Sequence, residues 1–226
     1  CIYHVYVNRI KISIYGYGKV MYIHHSSGLL SVYAHLNSFS DKIQSLVTKY
    51  QIQNQINELD VFLKADSIKV KKNEIIAFSG NTGTSSGPHL HFEIRDELTE
   101  IPINPLFYFP IQDTTKPVVE HILFYNLSDT ISPSPILSIF TKIKDTLLLP
   151  PIFAVAFSGY DKMYPKGNPN NIYKVQIFLD NQKIYQHRLQ HVTFDNTMYV
   201  EYYSEKIKNK TIQKCFTPHL YPAYFY

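Results

Sequence analysis

Tryptophan is absent from this chain and cysteine nearly so, with two among 226 residues. Cys1 and Cys215 stand at opposite ends, so they draw no disulfide framework and identify no redox compartment. No apolar run approaches the ~20 residues that a membrane-spanning helix needs. No block of five or more like charges occurs, and the net charge is a modest +4, which argues against a nucleic-acid partner. What the chain has instead is 19 Tyr, 14 Phe and many Ile. These residues fit a pleated, half-buried surface better than a helix, so the expected fold class is mainly β. The length suits one large domain or two small ones.

The most informative stretch is Gly87-Pro88-His89-Leu90-His91-Phe92-Glu93-Ile94-Arg95. Side chains on a strand alternate, so His89 and His91 are expected on one face, with Leu90 and Phe92 anchoring the other in a core. Glu93 shares the histidine face, either supporting the site or facing solvent as an ordinary charge. The preceding loop, Ser79-Gly80-Asn81-Thr82-Gly83-Thr84-Ser85-Ser86-Gly87, has the glycines that let backbone come close to a ligand. A third histidine lies upstream in Tyr33-Ala34-His35-Leu36. There Val32, Ala34 and Leu36 are expected on one face and Ser31, Tyr33 and His35 on the other, polar one. A metal with a polarised water is a natural use of three such histidines. His24 and His25 are adjacent on a strand and point to opposite faces, so they are left out of the site.

Tyr17-Gly18-Lys19-Val20-Met21-Tyr22-Ile23-His24-His25-Ser26-Ser27-Gly28, Tyr33-Ala34-His35-Leu36, Val70-Lys71-Lys72-Asn73-Glu74-Ile75-Ile76-Ala77, Ser79-Gly80-Asn81-Thr82-Gly83 and Gly87-Pro88-His89-Leu90-His91-Phe92-Glu93 occur in this order. Together, from about Tyr6 to Pro105, they resemble the lysostaphin-like (LytM-type) zinc metallopeptidases of bacterial peptidoglycan. The resemblance implies a zinc endopeptidase in which His91 is a ligand for one Zn2+ ion. It also implies that His35 and His89 are catalytic, orienting a water and moving its proton, on peptidoglycan peptide cross-links in the periplasm or another exported compartment of the cell envelope. The mild positive charge would suit an anionic wall polymer, although ordinary surface lysines account for it as well.

One part of the family pattern is missing. Members place a His-x-x-x-Asp zinc pair shortly before the first hairpin, whereas here His4 is followed four residues later by Asn8. The other two ligands, and any export signal, are therefore expected upstream of Cys1, and this chain alone is expected to be inactive. The alternative is a non-catalytic LytM-type module that binds cell wall or activates another wall hydrolase.

Local patterns predict the organisation. Lys19 to His25 and Leu29 to Leu36 read as strands joined at Ser26-Ser27-Gly28. Ser40 to about Tyr50 reads as a helix capped by Ser40, with Ile43, Leu46, Val47 and Tyr50 at helical spacing. Residues 51–69 fit neither period, and this helical insert either walls a substrate groove or packs on the surface. Glu74 to Ser79 and His89 to Arg95 are further strands. The peptidase core is thus assigned to residues 1–109 and a proline-bracketed linker to 110–117. A smaller β-sandwich-like domain at 118–226, with its last strand or two expected beyond Tyr226, is expected to engage the wall or an envelope protein. Its strands are expected at Val118 to Tyr125, Ile136 to Ile143, Ile152 to Phe157, Ile172 to Leu179 and Lys183 to Leu189, with Asp180-Asn181 as a hairpin turn. His187, His191 and His219 lack partners at metal-ligand spacing and are read as structural.

Overall fold

The computed structural model describes residues 4–128, 135–140, 146–191, 193 and 203–216. Cys1, His219, the end of the strand expected to reach Ile143, and the C-terminal tyrosine-rich run lie outside the described residues. Two compact units divide the chain, Cys1–Phe107 and Tyr108–Tyr226. Among the described residues every strand pairing is antiparallel, and the longest α-helix is α1 (Asp41–Asn54). The mainly β expectation is met.

The first unit is built on six strands: β1 (Val5–Ile12), β2 (Lys19–His25), β3 (Leu29–Ala34), β5 (Leu59–Phe62), β7 (His91–Asp96) and β8 (Pro102–Ile103), in the order β5-β1-β2-β3-β7-β8. A small second ladder pairs β4 (Leu36–Phe39) with β6 (Ala77–Ser79). The β2–β3 turn is closed by Gly28 at φ 76, where space is open and backbone conformation alone favours glycine. In β2, Val20, Met21, Tyr22 and Ile23 are all buried. A continuous apolar run buried on both sides marks a central strand covered on each face.

The two faces carry different material. Met21, Ile23 and Tyr33 pack with Val7, Ile10, Leu36, Phe39, Ile43 and Val47 in the main core. Val20, Tyr22, Val32 and Ala34 pack on the other face, against Tyr17. Because Ile43 and Val47 belong to the main core, α1 covers the face opposite Ala34. Leu59 and Ile68 of the following insert join the same core.

Helix α1 departs from its expected limits at both ends. The Ser40 side chain makes no cap hydrogen bond; its carbonyl instead accepts from the Ile43 and Gln44 amides. At the other end the helix continues past Tyr50 and stops where Gln55 turns left-handed, at φ 54. Residues 59–62, which fit neither period, form an edge strand whose Asp60 accepts two 2.6 Å bonds from the Arg9 guanidinium. Such pairing rests on partners distant in sequence, so no local pattern announces it.

In the second unit, β9 (Val118–Asn126), β10 (Pro135–Phe140), β11 (Phe153–Tyr160), β14 (Ser204–Ile207) and β15 (Lys210–Lys214) form a sheet in the order β10-β9-β11-β15-β14. A separate hairpin joins β12 (Lys174–Leu179) to β13 (Gln182–Arg188), and Asp180 and Asn181 turn it with φ of 48 and 67. Both positive values are those of the hairpin turn that Asp and Asn tolerate. Leu123, Tyr125, Ala154, Ala156 and Ile212 pack on one face of the sheet. Phe157 and Cys215 pack with Ile172 against Val175, Ile177 and Tyr185 of the hairpin, a sandwich-like arrangement. Burial pushes the Cys215 thiol up to about 12, which makes it a packing residue instead of a nucleophile.

The core assignment is testable. Ile43→Ala, at a position 1% exposed, should cost about 2–5 kcal/mol in urea unfolding, whereas Ile52→Ala on the same helix, 71% exposed, should stay within about 0.5 kcal/mol. Similar losses for both would show that α1 does not dock through its Ile43 and Val47 side.

Candidate active site

His35 does not sit in a strand. It falls between β3 and β4 with φ 56, and it is only 6% exposed. Alternation from Ala34 would have carried its side chain to the Tyr33 side, which packs on the main core. The left-handed backbone breaks that alternation, so the expected polar face shared with Tyr33 does not exist. A positive φ is costly for a residue with a Cβ, and the surrounding bonds hold it. The His35 amide donates to the Tyr17 carbonyl at 3.0 Å, and ring Nδ1 donates to the Thr82 carbonyl at 2.8 Å.

The Gly/Ser/Thr loop makes this possible by approaching its own chain. A Cβ on Gly83, which has φ 75, would lie 2.3 Å from the Gly16 carbonyl oxygen and the Gly18 nitrogen. At Gly80 it would lie 2.5 Å from the Asn37 nitrogen. The Thr84 amide donates to the Gly16 carbonyl at 2.8 Å, and Thr82 Oγ1 donates to the Leu36 carbonyl at 2.9 Å. These glycines serve loop-to-loop contact, where a ligand was expected.

His89 precedes the strand, because β7 begins at His91. Its amide donates to the Gly80 carbonyl at 3.0 Å, and its ring Nδ1 donates to the Gly87 carbonyl at 2.8 Å. Leu90 is 47% exposed and anchors no core, contrary to expectation. Phe92 does face inward, meeting the Tyr33 ring at 5.2 Å. His91 lies opposite Ala34 across the β3–β7 pairing. The His35 ring centroid is 4.8 Å from that of His89 and 5.6 Å from that of His91, and Tyr17 lies 4.8 Å from His91. The three histidines singled out in the sequence are brought together around His35.

Three further residues gather beneath them. Glu93 Oε1 accepts from His91 Nε2 at 2.6 Å and from the Tyr17 hydroxyl at 2.5 Å, and Oε2 accepts from Arg95 Nε at 2.7 Å. Arg95, 5% exposed, also donates to the Tyr17 oxygen and to Glu100, each at 3.2 Å. Glu93 is therefore no solvent-facing charge. A His-x-Glu-x-Arg spacing places all three side chains on one strand face, so His91, Glu93 and Arg95 were legible as a set; Tyr17, which lies outside any strand, carried no such signal. His24 and His25 are held elsewhere, by Glu97 at 2.5 Å and Ser31 at 2.7 Å.

Burial by itself would raise the Glu93 carboxyl, but hydrogen bonds from Arg95, Tyr17 and His91 outweigh it and hold the group below its ordinary value of 4.5. Burial first, and the Glu93 bond second, push the Tyr17 phenol upward, so it remains a donor. As a metal site the donor set is partial. His91 fits one position, with Nε2 occupied by Glu93 and no hydrogen bond to Nδ1 among the described residues. Among the described residues no three ligand-type side chains converge to hold an ion, so these residues do not by themselves make the zinc site the resemblance implies.

Residues 47–105 match the model of peptidase family M23, a span that contains His89 and His91 but not His35. That matched span lies wholly within the first unit. The chain is similar to the DD-carboxypeptidase/endopeptidase Mpg of Neisseria meningitidis serogroup B, with 36% identity over 91 residues, 40% of this chain and 15% of that protein. It is 33% identical over 100 residues, 44% of this chain and 16% of the other, to an uncharacterized metalloprotease of Haemophilus influenzae. The matched part thus spans about 15% of the length of these relatives. A crystal structure of a mutant catalytic domain of the prophage-encoded M23 protein EnpA from Enterococcus faecalis has 22% identity and a TM-score of 0.28, covering 46% of this chain and 62% of that one.

A pH series tests the Glu93 network. A carboxylate with a depressed native value contributes stability that is present above its unfolded value and lost as pH falls through the native one. The stability advantage of the wild type over Glu93→Gln should therefore be largest above about pH 5 and shrink on further acidification. A gap that stays flat or widens in acid would contradict the assignment.

Proposed function

We propose that the first unit carries part of the active site of a zinc-dependent endopeptidase that hydrolyses peptide bonds of peptidoglycan cross-links in the bacterial cell envelope. The observation that carries this reading is the meeting of His35, His89 and His91 on one face of the sheet, within the unit that contains the M23-matched span. His91 is proposed as one zinc ligand, and the remaining ligands, a His and an Asp, come from residues other than those described. Bound zinc would supply Lewis acidity toward water and the scissile carbonyl. His35 and His89 are proposed as the catalytic pair. Each gives its Nδ1 hydrogen to a backbone carbonyl, so each neutral ring holds its lone pair on Nε2 and can take a water proton there. With the rings 4.8 Å apart, one imidazole can accept a proton while the other, when protonated, donates to the leaving amine.

A non-catalytic module that binds wall or activates another hydrolase is the second reading. One observation favours it: among the described residues no group of three metal-ligating side chains is present. The natural gene product that contains this chain decides between the two. Incubated with zinc and purified peptidoglycan, it should release cleaved peptides, whereas this chain alone should bind zinc weakly and release none. In that gene product His91→Ala should lose zinc, whereas His35→Ala should retain zinc and lose turnover by about 100-fold or more. Equal zinc loss in both variants would show the roles misassigned, and zinc-free wall binding without turnover would favour the module.

The second unit is proposed to hold the peptidase on the wall or on an envelope partner. Removing residues after Pro117 from the gene product should then leave small-peptide cleavage intact and reduce cleavage of intact sacculi, because tethering raises local concentration at an insoluble substrate. Joint collapse of both activities would make the second unit part of the catalytic fold.

A further inference from the structure

The bonds under His91 form a closed set. Glu93, whose side chain is 12% exposed, has two oxygens, and each is engaged by donors only: His91 and Tyr17 on Oε1, Arg95 on Oε2. Arg95 closes the ring by donating to the Tyr17 oxygen at 3.2 Å and is itself tied to Glu100 at 3.2 Å. Tyr17 also lies against the imidazole, at 4.8 Å and a 42° tilt. A carboxylate only accepts, so a 2.6 Å contact to His91 Nε2 requires the hydrogen on that nitrogen. In the neutral ring Nδ1 is then the lone-pair nitrogen. A Glu–Arg pair kept only for stability would be a weak device, since desolvation offsets most of the attraction of a buried pair. Here the pair has a third client, the imidazole.

We infer that Glu93 is a positioning residue, held by Arg95 and Tyr17, that fixes the tautomer and plane of His91 and so selects Nδ1 as the nitrogen His91 offers. The consequence for catalysis rests on the reading of His91 as a metal-ligating imidazole, where a carboxylate behind the ring orients a ligand and raises its basicity. The device itself does not rest on that reading, because it exists in the hydrogen bonds of the chain as it stands.

Imidazole nitrogen NMR of the whole chain without metal, at a pH where His91 is neutral, tests it. The wild type should show His91 with a protonated Nε2, a lone-pair-type Nδ1 and a slowly exchanging Hε2 resonance shifted downfield by its short bond. Glu93→Ala should lose that resonance or speed its exchange by about 10-fold or more, the change expected when a hydrogen bond to a charged group is removed. The amide spectrum and the His35 and His89 ring signals should stay in place. Tyr17→Phe relieves Oε1 of its second donor, so the His91 Hε2 signal should move further downfield. This variant keeps the test open should Glu93→Ala fail to fold. A wild-type His91 protonated on Nδ1, a folded Glu93→Ala with its Hε2 signal unchanged, or a Tyr17→Phe spectrum in which Hε2 stays or moves upfield would overturn the inference. A purely structural pair would lower the melting temperature in each variant and leave the His91 signals alone. Because no metal is present, this result stands apart from the zinc and turnover measurements that judge His91 as a ligand.

Discussion

The antiparallel pairing of β3 with β7 is the constraint on which the first unit depends. It sets Ala34 opposite His91 and Val32 opposite Glu93, and so brings a residue next to the 35 position against one from the far side of a long excursion. Closing such a loop costs entropy that grows only slowly with its length. The excursion offsets that cost by supplying Leu36, Phe39, Ile43, Val47, Leu59, Ile68 and Val70 to the main core. One face of the sheet is thus bought with buried hydrocarbon, which leaves the opposite face free to carry polar groups.

Those polar groups are treated unequally. Arg9 and Asp60 form a bidentate pair at the sheet edge, with Asp60 38% exposed, where water screens most of its worth. The Arg95 and Glu93 side chains are 6% and 12% exposed, where either charge alone would be costly. The second pair is tolerable because every strong site is matched: Glu93 by His91, Tyr17 and Arg95, and Arg95 by Glu93, Tyr17 and Glu100. A fully matched network of this kind is stiff, and stiffness beneath a ring is what keeps the ring's orientation defined.

Much of this was legible in the sequence wherever the determining forces are local. The β2 strand follows from a short apolar run and the Gly28 turn and the Asp180–Asn181 hairpin from turn chemistry, and the structure has them. The identity of the clustered histidines came from motif order. Reasoning by alternation failed at His35 and His89 for opposite causes. At His35 a left-handed residue interrupts the period, and nothing in Tyr-Ala-His-Leu announces a positive φ. At His89 the strand has not yet begun, because His89 itself is committed to a bridge with Gly80. Ser40 failed as a cap although its residue type is favoured there, since propensity says which residue can cap and not which way its side chain turns. Glu93 was left open because a carboxylate near histidines looks the same whether it is solvated or enclosed. Enclosure came from Tyr17, 76 residues away.

The three imidazoles are then distinguished by what holds them. His35 and His89 are both gripped at Nδ1 by carbonyls of one loop, Thr82 and Gly87. His91 is gripped at Nε2 by a carboxylate from its own strand. In their neutral forms two rings are thereby left with Nε2 as the lone-pair nitrogen and one with Nδ1, so residues of one type in one cluster are chemically different before any substrate arrives. The loop that supplies both carbonyls is itself fixed by contacts that a Cβ at Gly80 or Gly83 would prevent. Glycine in this loop acts on the site at one remove. It lets the backbone come close enough to set the edge that each of two histidines presents, and the strand sets the edge of the third.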